Sequence, residues 1–166
     1  MKKFLIVYVS RTGKTKQMAE YIAEGVRIAG HNAELKTLPQ VKEVEALEGY
    51  DGYLFGSPTY HKDTVASFKT WLFRAQKAGL EGKIGGAFGS HTHSGEAPGI
   101  LYDTMEHVFR MNMENLGPFK LEEKVVETDE GLHACQQFGR ALAEHGPGSE
   151  ARKVLNIRKQ IEDTGE

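Results

Sequence analysis

Phe4 to Val9 is a continuous apolar run with β-branched members, the pattern of a strand buried on both faces. After it Met18, Ala19, Ile22, Ala23 and Val26 recur at helical spacing while Lys16, Glu20 and Glu24 take the opposite face, which predicts an amphipathic helix. The same alternation continues along the chain. Asn32 to Leu38 reads as a second strand ending at Pro39, and a Lys- and Glu-rich helix or loop leads to a third strand at Asp51 to Gly56. Phe68, Trp71, Leu72 and Ala75 mark a helix face, and Lys83 to Ser90 reads as a glycine-rich fourth strand packed closely by a helix or ligand. Leu101, Met105, Val108 and Phe109 supply the next helix face, Leu121 to Thr128 a fifth strand, and Leu132, Cys135, Phe138 and Leu142 a last helix. Strictly alternating strands and helices predict an α/β fold whose parallel sheet is covered on both faces.

In such sheets ligands sit beyond the carboxyl ends of the strands. The chemically unusual residues gather there, in the segments that follow strands one, three and four. The first is Ser10-Arg11-Thr12-Gly13-Lys14-Thr15, which opens directly into a helix. A helix N-terminus has backbone N–H groups without intrahelical acceptors and a dipole that favours an anion, so hydroxyls and a glycine at this point suit a phosphate. A Walker loop is excluded because Tyr8 stands where its first glycine belongs, and the three glycines of a dinucleotide fingerprint are missing. An ordinary capped helix start, with Thr12 or Thr15 as the cap, is the competing reading. The second segment, Gly56 to Asp63, sets Pro58, Thr59, Tyr60 and His61 at a strand end. Tyr60 either offers its flat face to a planar ligand or folds under the following helix. The third, Gly89 to Gly99, is rich in glycine and polar groups: Ser90, His91, Thr92, His93, Ser94 and Gly95.

Composition narrows the function classes. A net charge of −2 supplies no broad basic surface, so nucleic acid is not an expected partner. No apolar stretch approaches the length of a membrane span and Met1-Lys2-Lys3 runs straight into the first strand, which predicts a cytoplasmic protein. Cys135 is the single cysteine, which rules out an intrachain disulfide and a cysteine metal cluster and suits a core thiol. His91 and His93 lack a convincing third metal ligand nearby, and no Ser-His-Asp or Cys-His arrangement follows from the spacing. His31, His107, His133 and His145 read as exposed positions. One domain is expected over 1–146. A charged extension follows at 147–166, where Val154, Ile157 and Ile161 suit a short helix that packs back, frays, or joins a homodimer or partner contact.

Ser10-x-Thr12-Gly13-x-Thr15 resembles the FMN-phosphate loop of the flavodoxin family. Together with Gly56-Ser57-Pro58-Thr59 and Gly89-Ser90-x-x-x-Ser94-Gly95-Glu96, it is similar to the flavodoxin domains of flavodiiron proteins over roughly residues 3 to 145. The resemblance implies a doubly wound three-layer sandwich with a five-stranded parallel sheet in the order 2-1-3-4-5, and FMN as cofactor. Residues 10–15 would then wrap the phosphate, Pro58, Thr59, Tyr60 and His61 would flank the isoalloxazine with Tyr60 stacking, and Ser90 through Gly95 would cover its other side. It implies a short flavodoxin that shuttles electrons between redox partner proteins, a reductase and an electron acceptor. The alternatives are an FMN-dependent oxidoreductase acting on NAD(P)H, a quinone or a porphyrinogen-type substrate, and an interaction module without flavin. Three departures stand out. His61 occupies the place of the glycine that often follows the stacking aromatic, disfavouring a positive φ there and with it the one-electron-reduced state. His61, Lys62, His91 and His93 make the surround more positive than usual, which favours added negative charge. His93 replaces an aromatic often found in flavodiiron domains, leaving the second stacking partner open.

Overall fold

The parallel sheet consists of β1 (Lys3–Tyr8), β2 (Asn32–Thr37), β3 (Gly52–Gly56), β4 (Ile84–His91) and β5 (Phe119–Glu122), in the order β2-β1-β3-β4-β5. The computed structural model describes residues 1–144, so the extension expected at 147–166 and His145 lie outside the described residues. Phe4 pairs with Ala33 on one side and Gly52 on the other, and Phe55 with Ala87, so β1 and β3 are central strands. Every residue of β3 is buried, as its unbroken apolar run demands, whereas the edge strand β2 buries only Ala33 outright.

Alternate residues face opposite layers. Phe4, Ile6, Tyr8, Leu54, Phe88 and Phe119 pack under α1 (Lys14–Ile28) and α5 (Asp129–Glu144). Leu5, Val7, Tyr53 and Phe55 pack under α2 (Ala66–Ala75) and α3 (Glu96–Asp103), with Phe68 and Trp71 edge-on to Phe55 or tilted against it. The parallel, doubly wound arrangement and its strand order agree with expectation. Cys135 is fully buried in the first layer, and burial pushes its thiol pKa up. No helix among the described residues is long and apolar enough to cross a membrane.

The expected fifth strand over 121–128 is corrected. It begins at Phe119 and ends at Glu122, where a short helix, α4 (Glu123–Val126), takes over. Its neighbour explains the stop: β4 ends at His91, which pairs with Glu122, so a longer β5 would leave backbone groups without a ladder. Val108 is also not a core residue. The chain widens into a π turn at Thr104–Val108, closed by the Phe109 N–H on the Thr104 carbonyl at 3.0 Å, and Val108 is left 51% exposed. Two 3₁₀ turns, Leu38–Val41 and Val44–Leu47, occupy the Lys- and Glu-rich connection. His31, expected on the surface, is partly buried: its Nδ1 accepts the Lys2 N–H at 3.0 Å and its ring meets the Phe4 ring edge-on.

Candidate functional site

The first turn of α1 is built around Ser10. Its Oγ accepts the Gly13 and Lys16 N–H groups, each at 3.2 Å, and Gly13 turns the chain at φ 90°, a conformation that costs glycine little. No acidic residue occupies the first turn, so the positive helix end stays uncompensated within its own element. Neighbouring elements engage the rest of the loop. Thr12 Oγ1 donates to Glu123 Oε1 at 2.8 Å, and Lys14 Nζ pairs with Glu127. Thr15 is buried, its hydroxyl 2.8 Å from that of Ser90, and so joins the loop to β4 instead of facing outward. Arg11 reaches across to the second loop, its guanidinium 4.3 Å from the centroid of the Tyr60 ring.

The second and third loops are tied together. Thr59 donates its N–H to the Ser90 carbonyl at 3.2 Å, and its hydroxyl accepts the Ala97 N–H of α3 at 3.0 Å. Beneath them the buried Thr64 hydroxyl donates to Ser57 Oγ at 2.8 Å. Tyr60 and Asp63 exchange backbone hydrogen bonds at 2.7 and 3.0 Å around a two-residue turn whose central residues, His61 and Lys62, have φ 51° and 59°. Positive φ at both central positions is the geometry that paired strands favour in tight turns. His61 therefore already adopts the backbone region that its side chain disfavours. The His61 ring stands edge-on to Tyr60, which is 47% exposed and does not fold under α2.

Between the two loops lies an open groove of about 360 Å³, lined by Thr59, Tyr60, His61 and Lys62 on one side and Thr92, His93 and Ser94 on the other. That volume is within the range of small-molecule and cofactor sites. Among the described residues no carboxylate lines it; in the adjoining stretches a hydrogen bond from Lys69 keeps Asp63 below the usual carboxylate range, and one from Ser94, with Lys62 and Lys120 adding to it, does the same for Glu96.

Thus Thr59, Tyr60, His61, Thr92, His93 and Ser94 meet around one groove. Ser10, Arg11, Thr12, Gly13 and Lys14 form the adjoining helix entry. Thr15 and Ser90 are buried struts, and Pro58 is half-buried on the stretch that carries Thr59. His91 does not line the groove. A Cβ placed on Gly95 would lie 3.0 Å from its ring and 2.8 Å from the Lys120 chain, so the ring sits beneath Gly95. Among the described residues no three His, Cys, Asp or Glu side chains converge as metal ligands. Glu123 and Glu127 were missed because Leu121 to Thr128 reads as a strand, which carries them away from the first loop. Lys62 was visible as a cation beside His61, but only the tight turn puts it on the groove wall.

Residues 6–137 match the flavodoxin family model. A flavodoxin from Clostridium saccharobutylicum is 39% identical over 87 residues, covering 52% of this chain and 54% of that protein. A type A flavoprotein from Rhodobacter capsulatus is 32% identical over 163 residues, 94% of this chain but 36% of the relative, so the chain spans about half or less of the length of these curated relatives. Among solved structures, a flavodoxin from the domain Archaea superposes with a TM-score of 0.79 at 28% identity, covering 86% of this chain and 96% of that one. With the sheet order, the helix entry after β1 and the groove between the second and third loops already in place, the match over residues 6–137 identifies the chain as a member of the flavodoxin family.

Proposed function

We propose that this chain is an FMN-binding electron-transfer protein that passes electrons between redox partners. One observation supports the reading above others: Thr15–Ser90 and Thr59–Ala97 fasten three strand-end loops into one unit, with the entry to α1 next to a groove walled by an exposed aromatic ring. The residues present fit FMN. The Lys14 and Thr15 N–H groups at the start of α1 and the proton of the Ser10 hydroxyl, whose oxygen accepts the Gly13 and Lys16 N–H groups, would hold the phosphate. Tyr60 would lie against the ring system, Thr92, His93 and Ser94 would border its other side, and Arg11 stands between the phosphate and ring ends of the site. FMN when bound supplies one- and two-electron chemistry. The protein's part is to fix the ring, shield one side of it and set the local charge. Lys62 on the groove wall and Arg11 against Tyr60 stabilise negative charge placed there.

A second reading, an FMN-dependent oxidoreductase acting directly on NAD(P)H or a quinone, is supported by His61 and His93 facing one groove, where imidazoles can hydrogen-bond or protonate a bound substrate. The test has two stages. Purified protein is titrated with FMN and with riboflavin by fluorescence quenching, and the loaded protein is then mixed with NAD(P)H without other proteins. The carrier reading expects stoichiometric FMN binding, weaker riboflavin binding, and slow or absent bleaching until a reductase is added. Failure to take up FMN would sink both readings, and rapid bleaching by NAD(P)H alone would replace the first with the second.

A further inference from the structure

Helix α2 is unlike the rest of the surface. From Gly52 to Leu80 the chain carries four cations, Lys62, Lys69, Arg74 and Lys77, against the single carboxylate of Asp63, although the whole chain has a net charge of −2. Lys69 is paired with Asp63, and this contact joins α2 to the turn bearing His61 and Lys62. Lys69 lies on the flank of α2 toward α3, Arg74 on the opposite flank, Lys62 in the turn before the helix and Lys77 in the 3₁₀ turn Gln76–Ala78 after it, so cations stand along both flanks and at both ends of α2.

Hydrophobic surface accompanies the charge. Phe73 is 77% exposed on α2, and beside it a groove of about 240 Å³ opens toward α3 and the π turn, lined by Leu72, Ile100, Thr104, Val108 and Phe109. On the other flank a second groove, about 480 Å³, is lined by Leu38, Pro39 and Trp71 with Lys42 and Arg74. α2 is thus a basic ridge between two apolar grooves. An exposed aromatic ring next to grooves and cations is the composition of a recognition surface, not of an ordinary solvated helix.

We infer that α2 is the docking ridge for an acidic protein electron carrier, whose carboxylates meet Lys62, Arg74 and Lys77 while apolar side chains enter the groove beside Phe73. This rests on the electron-transfer reading, since the ridge starts at the loops that would hold FMN. Charge decides among the occupants. A second copy docked through the same ridge would bring cations against cations. An anionic bilayer would match the charge, but Phe68, Trp71, Leu72 and Ala75 are committed to the core, and the apolar surface is grooved where membrane-surface helices present a protruding stripe. The flanking elements carry carboxylates of their own, Asp103 and Glu106 on one side and Glu43 and Glu45 on the other, with Lys42 beside the second groove.

The experiment titrates FMN-loaded protein with a plant-type ferredoxin as an acidic carrier, with cytochrome c as a basic one, and with phosphatidylglycerol vesicles. Sedimentation of the protein alone reports self-association, and a carbodiimide joins lysines to the carboxylates they touch. The expected result is ferredoxin binding that weakens about tenfold from low to physiological ionic strength, with cross-links at Lys62 and Lys77. Arg74→Glu combined with Lys77→Glu should weaken binding about tenfold and flatten the salt dependence, whereas Phe73→Ser should weaken it about threefold with the salt dependence kept. Unchanged FMN affinity in both variants shows that the fold and the flavin site survive. Cross-links at Lys16, Lys36 or Lys124 instead, preference for cytochrome c, self-association lost in Phe73→Ser, or vesicle binding lost on charge reversal would each overturn the inference. If FMN fails to bind, the functional reading falls separately, because the ferredoxin titration can be run on the protein without flavin.

Discussion

Ser10 accepts two amide hydrogen bonds at the entry to α1, which leaves its hydroxyl proton available to an anion there. Ser10→Ala removes that donor and strands two N–H groups. A hydrogen bond to a charged group is worth about 1.5–3 kcal/mol, so the FMN dissociation constant measured by fluorescence quenching should rise roughly 10- to 100-fold. Glu127 acts in the opposite direction by pairing with Lys14. Because Glu127 is largely exposed, Glu127→Gln should tighten FMN binding only about two- to fivefold, in keeping with the weakness of exposed ion pairs. His61 holds φ 51° in its turn. Glycine relieves the left-handed strain but has more freedom to lose on folding, so His61→Gly should stabilise the protein by roughly 0.5–1 kcal/mol, read as a shift in the urea midpoint at unchanged slope. The hydroxyls and glycine of the first loop read as suited to an anion because a helix N-terminus is a local feature. The inward turn of Thr15 was not legible, since its partner Ser90 is 75 residues away.

At the scale of elements, α1 and α5 contain glycines that helix propensity alone disfavours. A Cβ at Gly25 would fall 1.9 Å from the Gln136 carbonyl oxygen, and one at Gly139 would fall 2.1 Å from that of Ile22. The two helices approach so closely that each needs a bare backbone opposite the other. In an isolated helix Gly→Ala gains about 1 kcal/mol, so the sign of the change is informative. Gly25→Ala should instead cost about 1–3 kcal/mol by overpacking, measured by thermal or urea unfolding. Apolar periodicity located both helices, but it says nothing of the distance between them. For the same reason the end of β5 was misread. Val125 and Val126 suit a strand by composition, and only the end of β4 at His91 decides that the chain turns into α4, bringing Glu123 and Glu127 to the first loop.

For the whole molecule, the pairing of His31 with Lys2 couples the start of the chain to the end of α1. Burial, followed by the positive charges of Lys2 and the N-terminus, lowers the His31 pKa from 6.5, while Glu144 and Asp51 act in the other direction. The unfolded chain therefore takes up this proton at a higher pH than the folded one, and stability rises with pH across that window. The contribution is fully present above pH 6.5 and is lost as pH falls through the lowered folded value. His31→Gln should flatten the fall in unfolding free energy below pH 6.5; an unchanged acid limb would show that His31 does not set it. By itself the sequence determined the alternation of strands and helices, the burial of Cys135, and the gathering of unusual residues after β1, β3 and β4, because apolar spacing and helix-entry chemistry are properties of neighbouring residues. Tertiary structure alone decided which hydroxyls became struts, that Thr12 meets Glu123 across 111 residues, and that Lys69 and Arg74 of α2 each border one of the two grooves that flank it. Those outcomes depend on strand register and the distance between layers, which no local pattern encodes.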